Sequence, residues 1–153
     1  MSRQATGREL TVIGYREWIA IPAWDIIAVR AKADTGARTS AIDVKNIEVI
    51  DEQTVRFDFV RHRFKRKRTT RIEAPISRKS HVKSSTGESK ERIFVVVEVT
   101  IGDVRKAVEF SLVSRRGMLN RVLLGRAALL DDFLVDSGRR YVLGKPANGE
   151  AGG

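Results

Sequence analysis

The sequence predicts an all-β domain, a small closed or partly closed barrel with one short helix late in the chain. Three observations carry this. Short apolar runs rich in Val, Ile and Phe recur between turn residues. Period-two alternation marks 55–59 and 93–101, as strands with one buried face require. A helical pattern occurs only once, near residue 126.

The elements follow in order. Leu10–Gly14, Trp18–Ile21 and Ile26–Ala33 read as short strands, with Pro22 punctuating the second. Val55, Phe57 and Phe59 alternate with Arg56 and Asp58. Arg92–Ile101 and Val104–Val113 form a hairpin around Gly102-Asp103, a two-residue turn. Ile93, Val95, Val97, Val99 and Ile101 share one face of it, and Val108, Phe110 and Leu112 face the core from the return strand. Ala127, Ala128, Leu129 and Leu130 place a helix over Arg126–Phe133, after which Phe133–Asp136 and Arg140–Leu143 return to strand. Trp18 and Trp24 are expected in the core or at a dimer contact. The domain is taken as 9–145, with polar residues 1–8 and the small-residue tail 146–153 as flexible ends.

Composition narrows the function classes. The chain has 153 residues and 29 Lys+Arg against 19 Asp+Glu, a formal charge of +10 that predicts an acidic partner. It has no cysteine, which excludes disulfides, thiol catalysis and Cys-based zinc sites. With His62 and His81 the only histidines, a metal centre is poorly supplied, and no metal or other cofactor is expected. No Gly-rich phosphate loop supports ATP use. The start of the chain lacks the apolar core of a secretory signal, and no apolar run reaches the roughly 18 residues of a membrane span. The expectation is cytoplasmic, with no membrane partner.

One motif carries chemistry. Ala31-Lys32-Ala33-Asp34-Thr35-Gly36-Ala37 places an acid, a hydroxyl and a glycine where a strand turns into a loop. Glycine permits the sharp bend and threonine can lock it by hydrogen bonding. A carboxylate held on such a turn can activate water. A second element, Val122-Leu123-Leu124-Gly125-Arg126, is an apolar strand ending in glycine just before the helix.

This pairing resembles the retropepsin-like aspartic peptidases. Ile13–Trp18, Lys32–Ala41, Leu123–Arg126 and Phe133–Asp136 are more closely similar to a bacterial family of that class, often labelled an ATP-dependent zinc protease and associated with RimK-type glutamate ligases. The resemblance runs from about Val12 to Leu143. It implies a retropepsin-like (acid protease) closed barrel and a homodimer in which Asp34 is contributed twice across a two-fold axis. Two close carboxylates share a proton, so one acts as general base on water and the other as general acid. The resemblance also implies that Thr35 braces the loop across the dimer, that Gly36 and Ala37 lie beside the substrate, and that Gly125 and Arg126 serve structure or the dimer. Val135-Asp136-Ser137-Gly138 offers a second Asp-Ser-Gly loop in the same chain. Too few residues follow it for a second lobe, so the homodimer is preferred.

Two departures from the viral pattern add charge. Lys32 replaces an apolar residue on the side of the strand that carries Asp34, and Arg38 stands where an acid is common. A nearby ammonium favours the ionised carboxylate. Either these cations oppose ordinary peptidase chemistry or they suit an acidic or polyglutamylated peptide, with Lys32 and Arg38 binding its carboxylates. Ser84–Ser89, including Ser85 and Gly87, is the candidate flap tip, or an ordinary exposed loop.

The run Arg61–Arg71 holds seven Lys or Arg in eleven residues. It is either a solvated hairpin whose charge guards a sheet edge, or a track for an acidic peptide or nucleic acid. Phe64 is its only aromatic, which weakens base stacking. The alternative to an aspartic-type endopeptidase is therefore a non-catalytic basic module that binds RNA, the ribosome or an acidic protein.

Overall fold

The computed structural model describes residues 9–62, 65–83, 86–114 and 119–145. β1 (Thr11–Gly14) precedes a hairpin of β2 (Arg16–Ile21) and β3 (Ile26–Ala33), joined through a single 3₁₀ turn at Pro22–Trp24. Proline suits the first position of that turn because it has no N–H to leave unpaired. After the Asp34 loop comes β4 (Ser40–Val49), followed by a hairpin of β5 (Thr54–Val60) and β6 (Thr69–Pro75). β7 (Arg78–Lys83) pairs with the first half of β8 (Ser89–Ile101), and β9 (Val104–Val113) pairs with the second half. The chain ends in β10 (Val122–Leu124), α1 (Arg126–Leu129) and β11 (Phe133–Asp136).

Six strands close the barrel. The pairing runs β10–β3–β2–β8–β9–β4, and β4 returns to β10 through Val122↔Ile42 and Leu123↔Ala41. The β5–β6 hairpin continues outward from β4, β7 flanks β8, and β1 with β11 forms a separate two-stranded parallel sheet. The 93–101 alternation lands as expected, with Ile93, Val95, Val97, Val99 and Ile101 all buried. They meet Ile19, Ile21, Val29, Ile42, Phe110, Val122 and Leu124 in one core. Trp24 is buried and packs edge-on against Phe57 with ring centres 5.6 Å apart, which ties the β5–β6 hairpin to the barrel. Trp18 is buried too, stacked on Tyr141 at 5.8 Å.

Several expectations are corrected. The helix is a single turn, Arg126–Leu129, because Leu130 leaves helical geometry and Asp131 is left-handed at φ +67. Arg140–Leu143 is not a strand. Glu17, 1% exposed, lies beneath it and takes the amide protons that a ladder would use. Its carboxylate accepts from Gly14 at 2.7 Å, Val142 at 2.9 Å and Leu143 at 3.2 Å. Strands β4, β6 and β7 were not expected from sequence: β4 is interrupted at Asn46, left-handed at φ +53, where its register with β5 shifts, while β6 buries only Ile72 and Ala74 and β7 carries a single apolar residue, Val82.

The basic run is largely the connection between β5 and β6, and β6 is the outermost strand of the path. Two of its cations are committed to the fold. Arg71 Nε donates to Asp58 at 3.1 Å, and Arg66 grips Asp43 with both terminal nitrogens. Asp43 is wholly buried and also pairs with Arg121, itself 2% exposed. Removing one member of such a group leaves a buried charge uncompensated. Asp43→Ala is therefore expected to cost about 3–5 kcal/mol of unfolding free energy, read by urea denaturation.

Asp58 has a smaller, pH-dependent part. The Asn46 amide first, and then Arg71, hold its carboxyl below the ordinary value against the opposing effect of burial. A folded-state value below the unfolded one gives stability that is full above the unfolded value, about pH 4, and lost as pH falls through the lowered one. Asp58→Asn should flatten the fall in melting temperature as pH drops below about 4.

Candidate active site

The Asp34 loop leaves the barrel where β3 ends beside β10. Strand pairing sets its start, since Val122↔Ala31 and Leu124↔Ala33 align β10 with the last turn of β3. Ala33 N–H donates to the Tyr15 carbonyl at 2.9 Å and Asp34 N–H to the Leu124 carbonyl at 2.8 Å. The Asp34 carboxylate then accepts the Gly36 amide at 3.1 Å, which fixes its rotamer by a local bond. The far side of the loop is tied as firmly. Arg126 N–H donates to the Ala37 carbonyl at 2.8 Å and Ala127 N–H to the Arg38 carbonyl at 3.0 Å. Arg126 Nη1 reaches the Thr35 carbonyl at 3.0 Å.

Gly125 makes this docking possible. A Cβ there would stand 2.5 Å from the Thr39 carbonyl oxygen and 2.9 Å from the Arg38 carbonyl carbon. Backbone atoms cannot retreat as a flexible side chain can. The Gly125 amide is received by the Ser40 hydroxyl at 3.0 Å, so the close approach leaves no donor orphaned.

Sequence reasoning gathered Asp34, Thr35, Gly36, Ala37, Arg38, Gly125 and Arg126, and the fold brings all seven together. Thr35, Gly36 and Arg38 are exposed on the single chain, and Asp34 is partly so. Lys32 is exposed on β3 two residues before Asp34, yet the carboxylate is not locked to it, since Asp34 has no ion-pair partner among the described residues. Gly87 sits at the turn of the β7–β8 hairpin with φ +84, and no hydrogen bond among the described residues ties it to the Asp34 loop. Ser85 lies outside the described residues. Thr39 and Ser40 were missed, although a hydroxyl pair following the motif was a usable signal. The Asp136 loop repeats the local pattern, with Gly138 N–H donating to Asp136 at 2.9 Å, but its strand pairs with β1 away from the barrel.

Among the described residues no three His, Asp or Glu side chains are arranged to hold a metal ion. His62 lies on the β5–β6 connection, where burial and then Arg68 and Lys65 push its imidazole below the ordinary value. His81 is on another hairpin, opposite Glu91 at 4.0 Å. No helix among the described residues is long and apolar enough to cross a membrane.

Comparison with known proteins agrees with this geometry. Residues 12–146 match the family described as RimB-like, retropepsin-like aspartic endopeptidase RimB. A probable alpha-L-glutamate ligase of Shewanella pealeana is 36% identical over 137 residues, 88% of this chain and 30% of that protein. One from Desulfotalea psychrophila is 31% identical over 137 residues, with the same two shares. The chain thus spans about three tenths of the length of these curated relatives. A crystal structure of a Legionella pneumophila protein of unknown function shares the fold, with a TM-score of 0.72 at 23% identity over 87% of this chain and 98% of that one.

Gly125→Ala tests the clamp. Forcing a methyl against backbone is expected to cost about 1–3 kcal/mol in urea denaturation and to shift the Asp34–Arg38 amide resonances.

Proposed function

The chain belongs to the RimB-like family of retropepsin-like aspartic endopeptidases, and on that premise we propose that two copies join to hydrolyse amide bonds in acidic or glutamate-tailed peptides. The observation that carries this is the Asp34 loop. It holds one oriented carboxylate, open to solvent, on a turn braced from both sides. One carboxyl group cannot act as base on water and as acid on the substrate in the same step, whereas a pair sharing one proton can. A second copy supplies the missing acid, and the exposed Thr35 and Gly36 are available to meet it.

The chemistry then balances with protein groups alone. The ionised Asp34 takes a proton from water as the water oxygen bonds to the amide carbon and the C=O pair moves onto the carbonyl oxygen. The protonated partner gives its proton to the amide nitrogen, and the C=O bond re-forms as the C–N bond breaks to leave an acid and an amine. Lys32 and Arg38, both exposed and neither paired with Asp34 among the described residues, are the groups assigned to substrate carboxylates near the scissile bond. The glutamate-ligase names of the longer relatives support a glutamate-rich substrate, as does the charge of +10. They also support a functional link to a RimK-type ligase.

Asp34→Asn should lower the hydrolysis of an oligoglutamate-tailed peptide by about 10³-fold or more while leaving the melting temperature within a few degrees. Sedimentation should give a dimer for both proteins. Undiminished cleavage by the variant, or activity that does not fall on dilution to monomer, would sink the assignment.

A further inference from the structure

A cleft of about 440 Å³ opens beside the Asp34 loop, lined by Arg38, Thr39, Arg78, Glu109 and Ala127. Two of these belong to the loop and one to the helical turn docked on it. Arg78 and Glu109 come from β7 and β9, on either side of β8.

Arg78 is held in an unusual way for a residue 45% exposed. Its guanidinium lies over the ring of its cross-strand partner Phe94, 3.7 Å from the centroid. Its Nε donates to Glu109 Oε1 at 2.9 Å. Glu109 is anchored in turn, since its other oxygen accepts the Ser77 hydroxyl at 2.6 Å. Burial pushes the Glu109 carboxyl up, but Ser77 and Arg78 outweigh it and hold the pKa below the ordinary value, so Glu109 is ionised at neutral pH. The single bond at Nε and the stacking fix the plane of the Arg78 fork and leave its two terminal nitrogens without a partner among the described residues. Arg38 lines the same cleft and has no ion-pair partner among the described residues either. Two cations against one anion leave the cleft lining with one net positive charge, and a planar guanidinium fork suits a carboxylate.

We propose that this cleft is a subsite for a glutamate side chain of the substrate, in which Arg78 is the specificity-determining residue, Arg38 its partner across the cleft, and Glu109 with Phe94 the groups that position Arg78. The proposal rests on the peptidase reading for the substrate's backbone but not for the subsite itself, so binding and hydrolysis are tested separately.

Binding is measured by fluorescence anisotropy with labelled tetraglutamate and tetraglutamine peptides, in the Asp34→Asn background so that neither is consumed. Tetraglutamate should bind more tightly than tetraglutamine by about tenfold, the size of one charge-assisted hydrogen bond at a half-exposed site. Arg78→Gln should erase most of that difference while leaving tetraglutamine binding within about twofold. Lys79→Gln removes the same charge from the opposite face of β7 and should change neither.

Equal loss for both peptides, an equal effect of Lys79→Gln, or no binding of tetraglutamate would overturn the subsite. In the otherwise unaltered chain, Glu→Gln scanning of a cleaved peptide should then show one position whose preference Arg78→Gln abolishes. Arg78-dependent binding with no cleavage would sink the peptidase reading and leave the subsite standing.

Discussion

The backbone of Gly125 touches the backbone of Thr39, and everything at the candidate site follows from that approach. It lets the first amides of the helical turn donate to the carbonyls of Ala37 and Arg38 and places the Arg126 side chain on the Thr35 carbonyl. The Asp34 loop is thereby clamped between β10 and the turn, rather than left as a surface excursion. Ser40 completes the joint. Its hydroxyl takes the Gly125 amide, and its carbonyl takes the Ser111 hydroxyl at 3.3 Å from β9. The barrel, the loop and the helical turn therefore share one rigid corner.

Charge is divided between interior and surface in a consistent way. Several carboxylates work inside the fold. Glu17 collects three backbone amides, Asp43 joins two arginines, and Asp58 holds Asn46 and Arg71. The cations nearest Asp34 are left at the surface instead, with Lys32 and Arg38 both exposed. With these acids turned inward and Lys32 and Arg38 turned outward, the surface flanking Asp34 is basic. The basic run shows the other side of this division. Arg66 and Arg71 serve the fold, so the run offers fewer free cations to a polyanion than its composition suggests.

What could be read from sequence was what local chemistry determines. Alternation exposed the β8–β9 hairpin, because each residue's face depends only on parity. The Asp34 and Gly125 motifs were visible because bends and close approaches demand glycine. Arg78 and Glu109 were invisible as a site, being 31 residues apart and joined only by the lateral packing of three strands. Asn46 hid β4 for a different reason: its left-handed backbone shifts the register against β5 in mid-strand, so the parity set by Ile42 and Val44 does not continue through Ile47 and Val49. Arg140–Leu143 misled because the Val142 and Leu143 amides go to the Glu17 side chain and Tyr141 is left-handed at φ +54, neither of which periodicity encodes.

The barrel closes through partners remote in sequence. Gly125 meets Ser40 across 85 residues, and β10 joins both β3 and β4. Such long-range closure is entropically costly and slow to nucleate. During synthesis, Asp34 emerges long before the strand that shapes its loop. An unfinished or locally opened chain therefore carries Asp34 without the pairing to β10 and the helical turn that shape its loop.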